Sequence, residues 1–278
     1  MTMLNSKNKI LFLGPTGSYT ENALKKFIDY FNLECEIEPV STIKKIIQDV
    51  SANNCLAVVP IENSIEGIVR ETVDALLNVK GVRIFSQIVL PISHCLISKG
   101  TKDKIKTILS HPQALNQCQS YIASEFGKSI NIITTSSTSF ATRSLLELDE
   151  THASIGNEYC ADFYNLNIID KNINDIKDNR TRFVLIGNVD ENKDATRTSI
   201  AFSTKNQPGA LLKVLEVFKK YDLNLIYIES RPSKEVIGDY VFFADIDRGL
   251  NLIQDALSEI ACLCSFCKIL GSYSVIKH

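Results

Sequence analysis

No apolar run in this sequence approaches the roughly 18 residues of a membrane span. The run nearest the N-terminus, Ile10–Leu13, is also far too short for the apolar region of a secretory leader, and no small-residue cleavage site follows it. A cytoplasmic chain without a membrane partner is therefore expected. A clustered basic excess is missing too. The formal net charge is −2, and pairs such as Lys25-Lys26 and Lys44-Lys45 read as solvated helix faces, so nucleic acid is not an expected partner. Neither an internal repeat nor a low-complexity segment is present. What remains is a globular composition: 278 residues, 45% apolar and 22% charged, enough to bury one large core or two ordinary ones.

The eight cysteines are even in number, but a reducing compartment keeps them as thiols. Cys35, Cys55, Cys95, Cys118 and Cys160 are dispersed beside apolar residues and read as small buried hydrophobes. Cys262, Cys264 and Cys267 lie closer together. No fourth ligand is near in sequence, the closest histidine being His278, so core packing is expected and no metal.

Along the chain, short apolar runs alternate with segments of helical spacing. Lys9–Leu13 reads as a strand ending at Gly14-Pro15-Thr16-Gly17, and Thr20–Tyr30 as a helix with Ala23, Leu24, Phe27 and Ile28 on one face. Strands are expected at Glu36–Val40, Cys55–Ile61, Val82–Ile92, Thr107–Ser110, Asn131–Thr135 and Ala153–Gly156. Helices are expected at Ser41–Asn53, Gly67–Leu77, Gln113–Phe126, Ser137–Leu148 and Asn157–Phe163. This alternation predicts α/β units around a mainly parallel sheet. The polar stretch Asn165–Arg180 reads as a crossing segment that ends in a strand at Phe183–Gly187. The charged run Asp190–Thr196 has the character of a linker. Beyond it the order becomes β-α-β-β-α-β, the ferredoxin-like split motif.

Several turns carry chemistry. Gly14–Thr20 is a glycine-rich turn opening a helix, with unpaired amides and the positive dipole end available to an anion, but without the lysine of a Walker loop. Read blandly, it is a capped strand-to-helix turn. Glu62-Asn63-Ser64 gathers three polar side chains at the carboxyl end of a buried strand, where α/β folds bind ligands; Asn63 or Ser64 could equally cap a helix. His111-Pro112-Gln113 repeats the arrangement, with His111 either an acid–base group or structural. Ser136–Ser139 offers hydroxyls that could simply cap the next helix. Asn179-Arg180-Thr181-Arg182-Phe183 places two arginines beside a threonine, which suits an anionic ligand.

In this order, GPTGSY-T, VPIENS-EG, HPQAL-QC, STSFA and N-TRF resemble the motif series of the prephenate dehydratase family. Asn206–Leu211 (NQPGAL) and Ile228–Pro232 (IESRP) resemble the ACT regulatory domain that accompanies it. The likeness runs from about Lys9 to the C-terminus. Tyr19 stands where phenylalanine is also common, and Ala141-Thr142 departs from a frequent double alanine. No helical chorismate mutase segment precedes Lys9, which fits the monofunctional form.

The resemblance implies a bilobed, periplasmic-binding-protein-like (type II) α/β catalytic domain over residues 1–190. One lobe would span about 8–85 and 167–190, the other about 86–166. An ACT domain would occupy 196–278. It implies decarboxylative dehydration of prephenate to phenylpyruvate without cofactor or metal, with L-phenylalanine as effector and a homodimer or homotetramer as the assembly. Thr181 would aid departure of the C4 hydroxyl and Arg182 would hold a substrate carboxylate. Thr16 and Ser18 would add anion contacts. Asn63, Ser64, Gln113 and Thr138 would orient the ring, Phe183 would also bind the substrate, and Glu62 and His111 would be relay groups. Asn206, Gly209, Ala210, Leu211, Glu229, Ser230 and Arg231 would enclose phenylalanine. Two other readings remain: an arogenate dehydratase, whose substrate has an amino group in place of the ketone, and a non-catalytic amino-acid sensor.

Overall fold

The computed structural model describes residues 9–53, 55–189, 194–232 and 240–276. Residues 190–193 of the expected linker and His278 lie outside the described residues. Strand β1 (Lys9–Leu13) leads through the glycine-rich turn into α1 (Tyr19–Phe31). Then come β2 (Glu36–Val40), α2 (Ile43–Asn53), β3 (Leu56–Asn63), β4 (Gly67–Ile68), α3 (Arg70–Asn78) and β5 (Arg83–Pro91). The chain crosses once, builds β6 (Cys95–Ser98), β7 (Thr107–Ser110), α4 (Pro112–Gln117), α5 (Gln119–Phe126), β8 (Asn131–Thr134) and α6 (Thr138–Ser144), and continues with β9 (His152–Gly156), α7 (Glu158–Phe163) and β10 (Asn167–Asp170). It then crosses back into β11 (Arg180–Gly187). The remainder is β12 (Arg197–Thr204), α8 (Ala210–Lys220), β13 (Leu225–Pro232), β14 (Tyr240–Ile246), α9 (Gln254–Leu263) and β15 (Cys264–Ile276), the expected β-α-β-β-α-β order.

Strands β10-β6-β9-β7-β8 form one sheet, and β13-β14-β12-β15-β5-β11-β3-β1-β2 the backbone of a larger one. The larger sheet is mixed rather than mainly parallel: β1 runs parallel to β2 and β3, while β11 is antiparallel to both its neighbours. Sheet membership also moves the crossings. Strand β5 stays in the larger sheet as far as Pro91, and β10 pairs with β6 in the smaller one. The lobes therefore exchange the chain at about 92–94 and 171–179, not at 86 and 167.

Period-two alternation sorts the apolar residues of the large sheet onto two faces. Ile10, Phe12, Leu56, Val58, Phe183 and Leu185 pack with Ala23, Leu24 and Phe27 of α1. Leu11, Ala57, Val59, Val184 and Ile186 pack with α2, α3 and, from the C-terminal domain, Phe243 and Tyr273. Each fully buried Leu, Ile, Val or Phe among them stabilises the fold by about 1.5–3 kcal/mol, so a strand slipped by one residue would be heavily penalised.

Three expected helices are shorter or broken, Ser137–Leu148 ending as a helix at Ser144. Gly67–Leu77 starts instead as the short strand β4, with Gly67 at φ 78°, and turns helical only at Arg70. Gln113–Phe126 breaks at Cys118, whose backbone sits at φ −123°, ψ 21°. The returning crossing segment causes this: Asp175 N takes the Gln117 carbonyl at 2.7 Å, and the Asp175 carboxylate accepts from Ser120 N. Cys264 and Cys267 pack against the C-terminal core, and Cys262 is exposed. Among the described residues no cluster could hold a metal ion, and no helix is long and apolar enough to cross a membrane.

Candidate active site

A cleft of about 640 Å³ lies between the two sheets. Its walls are the strand-to-helix turns that the sequence marks out. Ser18, Tyr19 and Thr20 open α1, Val69 and Arg70 open α3, His111 and Gln113 open α4, and Ser137, Thr138 and Ser139 open α6. Four helix N-termini thus converge on one cavity. Each brings orphan amides and the positive end of a dipole, so the cavity suits an anion. Arg70 is the guanidinium among the lining residues, and Glu66 is the carboxylate.

The caps hold these turns in place. Ser18 Oγ accepts from Glu21 N at 3.2 Å, Ser137 Oγ from Phe140 N at 3.0 Å, and His111 Nδ1 from Gln113 N at 3.3 Å. As an acceptor at Nδ1, neutral His111 carries its proton on Nε2. Gly17 has φ 85°, and a Cβ there would come within 2.7 Å of Cys160 Sγ. Its amide donates to the buried Glu21 carboxylate at 2.6 Å, so that group is unavailable to a ligand.

Thr181 and Asn63 meet across β11 and β3, where they are register partners. Asn63 Nδ2 donates to Thr181 Oγ1 at 2.9 Å and to Asn179 Oδ1 at 2.8 Å. Asn63 Oδ1 accepts from the amides of Ile65 and Glu66 at 3.0 and 3.1 Å, which fixes the orientation of the carboxamide. Because Thr181 Oγ1 already accepts a hydrogen bond, its own proton is free to be donated into the cleft.

Of the residues singled out by sequence, Thr181, Ser18, Asn63, Gln113, Thr138, Phe183 and His111 line this cleft. Arg182 does not, and its assignment to a substrate carboxylate is corrected. Strand β11 begins at Arg180 rather than Phe183, so alternation puts Thr181 and Phe183 on the cleft face and Arg182 on the opposite one. There its guanidinium pairs with Glu62 at 3.0 Å and with Asp245 of β14, and Gln87 Oε1 lies at 3.4 Å. Burial opposes the charge of Arg182 most strongly, but Asp245, Tyr273 and Glu62 together outweigh it and hold the group protonated. Glu62 is removed from the relay role for the same reason. Ser64 ties the turn to β11, its Oγ accepting from Arg180 N at 2.9 Å, and Thr16 lies outside the residues lining the cleft.

His94 was not singled out by sequence, and Gln117 and Asn179 were named only within their motifs without a role; all three line the cleft. His94 and Asn179 are buried, at 4% and 1% exposure. Burial pushes the His94 imidazole below its ordinary 6.5, opposed by its hydrogen bond to Gln117. A histidine following a predicted strand was the available signal, but its partners are distant in sequence.

In the C-terminal domain Asn206, Gly209, Ala210 and Leu211 line a second pocket of about 250 Å³ with Tyr240 and Phe242. Gly209 caps α8 at φ 78°. Glu229, Ser230 and Arg231 are not part of this pocket. The Glu229 carboxylate accepts from Tyr227 and Ser230 pairs with Phe242 in the sheet, while Arg231 is bound to Asp74 of α3.

A family model described as prephenate dehydratase matches residues 10–191, and one described as ACT domain matches residues 198–261. The prephenate dehydratase of Methanocaldococcus jannaschii is 41% identical over 96% of this chain and 98% of its own. The bifunctional chorismate mutase/prephenate dehydratase of Aquifex aeolicus is 38% identical, over 97% of this chain and 74% of its own. The crystal structure of an Arthrobacter aurescens prephenate dehydratase in complex with L-Phe superposes with a TM-score of 0.84 at 30% identity, covering 96% of this chain and 90% of that one. The chain belongs to the prephenate dehydratase family and carries an ACT domain behind its two-lobed cleft.

Proposed function

We propose that this chain converts prephenate to phenylpyruvate, carbon dioxide and water. Prephenate carries a ring carboxylate, a pyruvyl carboxylate and a C4 hydroxyl. The bond from the ring to its carboxylate breaks, its electron pair enters the ring, and the C4–O bond breaks as the ring becomes aromatic. The departing hydroxide takes up one proton and leaves as water. The substrate is its own electron sink, so the protein has to hold two anionic groups, assist the leaving oxygen and exclude water.

The observation that carries this reading is the bond from Asn63 Nδ2 to Thr181 Oγ1. It leaves the threonine hydroxyl as a donor to the leaving oxygen. The converging helix N-termini and Arg70 receive the carboxylates, the part first given to Arg182. Ser18, Gln113 and Thr138 orient the substrate from their turns, and Phe183 supplies an apolar wall. Incubating the purified chain with prephenate and following phenylpyruvate tests the reading, and failure to form it defeats the assignment. Arogenate run in parallel separates the two possible substrates.

L-Phenylalanine is the effector in this reading. The α8 N-terminus and Gly209 receive its carboxylate, and Tyr240 and Phe242 flank its ring. Strand β13 stands at the end of the large sheet, with Ile226 and Ile228 each more than 40% exposed. An edge of that kind pairs readily with a second copy. A homodimer or homotetramer in the cytoplasm would bring the Glu229–Arg231 strand of one chain towards the Asn206–Leu211 pocket of another.

A further inference from the structure

The two domains share one continuous sheet, and its curvature leaves a polar hollow between them. Strands β11 and β14 are separated in the sheet order by β5, β15 and β12, yet Arg182 of β11 is ion-paired with Asp245 of β14. The sheet is therefore coiled, with this face concave. The hollow encloses about 240 Å³. Glu62, Gln87 and Arg182 line it from the catalytic domain, and Arg197, Tyr227 and Asp245 from the ACT domain. It shares no lining residue with the cleft or with the pocket at Gly209.

The carboxylates in this hollow are already engaged. Glu62 and Asp245 both pair with Arg182, and Asp245 also accepts from Ser199 Oγ. Tyr227 gives its hydroxyl proton to Glu229. Two donors are not engaged. Alternation along β12 puts Arg197 on the same face as Ser199, towards the hollow. Arg197 Nε is buried without a hydrogen-bond partner, and no ion pair reaches this guanidinium among the described residues. Gln87 is 1% exposed, and its Oε1 accepts from Arg182 Nη1 at 3.4 Å, which leaves its amide nitrogen as a donor. Arg180, at the edge of the hollow, is held by the exposed Asp178. A buried donor without an acceptor costs free energy. One such donor from each domain, facing the same space, marks the place of a missing acceptor, and the unpaired Arg197 makes that acceptor an anion.

We propose that this hollow is a binding site for a small monocarboxylate, held by the Arg197 guanidinium and the Gln87 amide. The planar fork of an arginine matches two carboxylate oxygens. Glu62 and Asp245 in the same walls disfavour a dianion such as phosphate. Val89 and Ile226 give a short alkyl group an apolar surface. Because such a ligand touches both domains, it ties them together and stabilises the folded chain. The inference is independent of the reaction proposed above.

The test is isothermal titration calorimetry on the full chain in chloride-free buffer, with isobutyrate as the probe and near-ultraviolet circular dichroism to check folding. The wild type should bind isobutyrate with a Kd of about millimolar order, and its Tm should rise with isobutyrate concentration. Arg197→Gln should weaken this binding about tenfold or more, as for loss of a charged hydrogen bond. Arg70→Gln, which alters the cleft instead, should leave it in place. Inorganic phosphate at equal ionic strength should compete poorly. If Arg197→Gln does not fold, crystals of the wild type grown with 3-bromopropionate decide: anomalous density for bromine in the hollow beside Arg197 supports the site. No binding to the wild type, equal binding to Arg197→Gln, loss in Arg70→Gln alone, phosphate as effective as isobutyrate, or bromine density confined to the cleft would each overturn the proposal.

Discussion

Arg182→Met is the substitution that most sharply separates a substrate-binding arginine from a structural one. The Arg182 side chain is 9% exposed and lies between the carboxylates of Asp245, 7% exposed, and Glu62, 28% exposed. Removing the guanidinium leaves two carboxylates facing each other with little water to screen them. Breaking a buried pair from one side costs about 3–5 kcal/mol. For a chain of this size that corresponds to a fall in Tm of about 6–20 °C. Asp245→Asn should cost less, since Arg182 retains Glu62. The double variant should be less unstable than the sum of the singles, because the second change removes a charge the first left unpaired.

Differential scanning calorimetry on the four members of this cycle gives the stability. Steady-state kinetics on prephenate, well below every midpoint, gives kcat and KM. The expected result is a large shift in Tm with KM within about threefold of wild type. A Tm within about 2 °C of wild type together with a KM raised more than about tenfold would refute the reasoning and return Arg182 to the cleft.

Other outcomes follow from the same geometry. Thr181→Ala should lower kcat by about a hundredfold or more while KM stays within a few-fold, read from progress curves of phenylpyruvate formation; a rise in KM at unchanged kcat would remove Thr181 from its assigned role. His94 is held neutral below its ordinary 6.5, so the unfolded chain binds a proton that the folded chain refuses as pH falls past that value. Stability is then lost on acidification, and His94→Gln should flatten that limb in urea midpoints taken between about pH 7 and 5. Activity should survive exhaustive dialysis against a chelator, and loss restored by a divalent ion would overturn the metal-free reaction. A chain ended near Asp194 should unfold at markedly lower temperature than the full chain, because it loses the partners of β5, Arg182 and α3; an unchanged Tm would contradict that coupling.

The elements were legible wherever one periodicity dominated. Ile10 and Phe12 against Leu11, or Ala23, Leu24 and Phe27 along α1, announce their faces without help from the rest of the chain. The turns after β1, β3, β7 and β8 were legible as ligand-binding places because a strand end, a polar cluster and a helix start coincide there. Arg182 was misplaced by a boundary of three residues. Once β11 starts at Arg180, alternation alone sends it to the other face. Gln117 and Asn179 stand within the quoted motifs, but their roles and that of His94 were not legible, since they arise from contacts between residues 23, 62 and 116 positions apart. The break at Cys118 is of the same kind: the residue that makes it, Asp175, belongs to the returning segment.

The run from Asp190 to Thr196 reads as a domain boundary, yet the two domains share a sheet. Strand β15 pairs in parallel with β5 at Gly271↔Ile84 and from Ser274↔Ser86 to Ile276↔Ile88. Lys268 on β15 donates to the carbonyls of Leu76, Leu77 and Val79, the orphan acceptors at the end of α3, at 2.7–2.8 Å. Arg231 on β13 pairs with Asp74 in the middle of α3, and its Nη1 reaches the carbonyl of Arg70 at the N-terminal end at 3.5 Å. The C-terminal domain therefore grips both ends of a helix whose first residues, Val69 and Arg70, line the cleft. Adjacent residues of the central strands divide in the same way. Asn63 and Thr181 face the cleft, while Glu62 and Arg182, one position along each strand, face Asp245. Asp245 lies three residues from Phe242, which lines the second pocket. A ligand that shifts β14 by a fraction of an ångström thus acts on Arg182 and on α3 through packed, ion-paired contacts, and the linker need carry none of it.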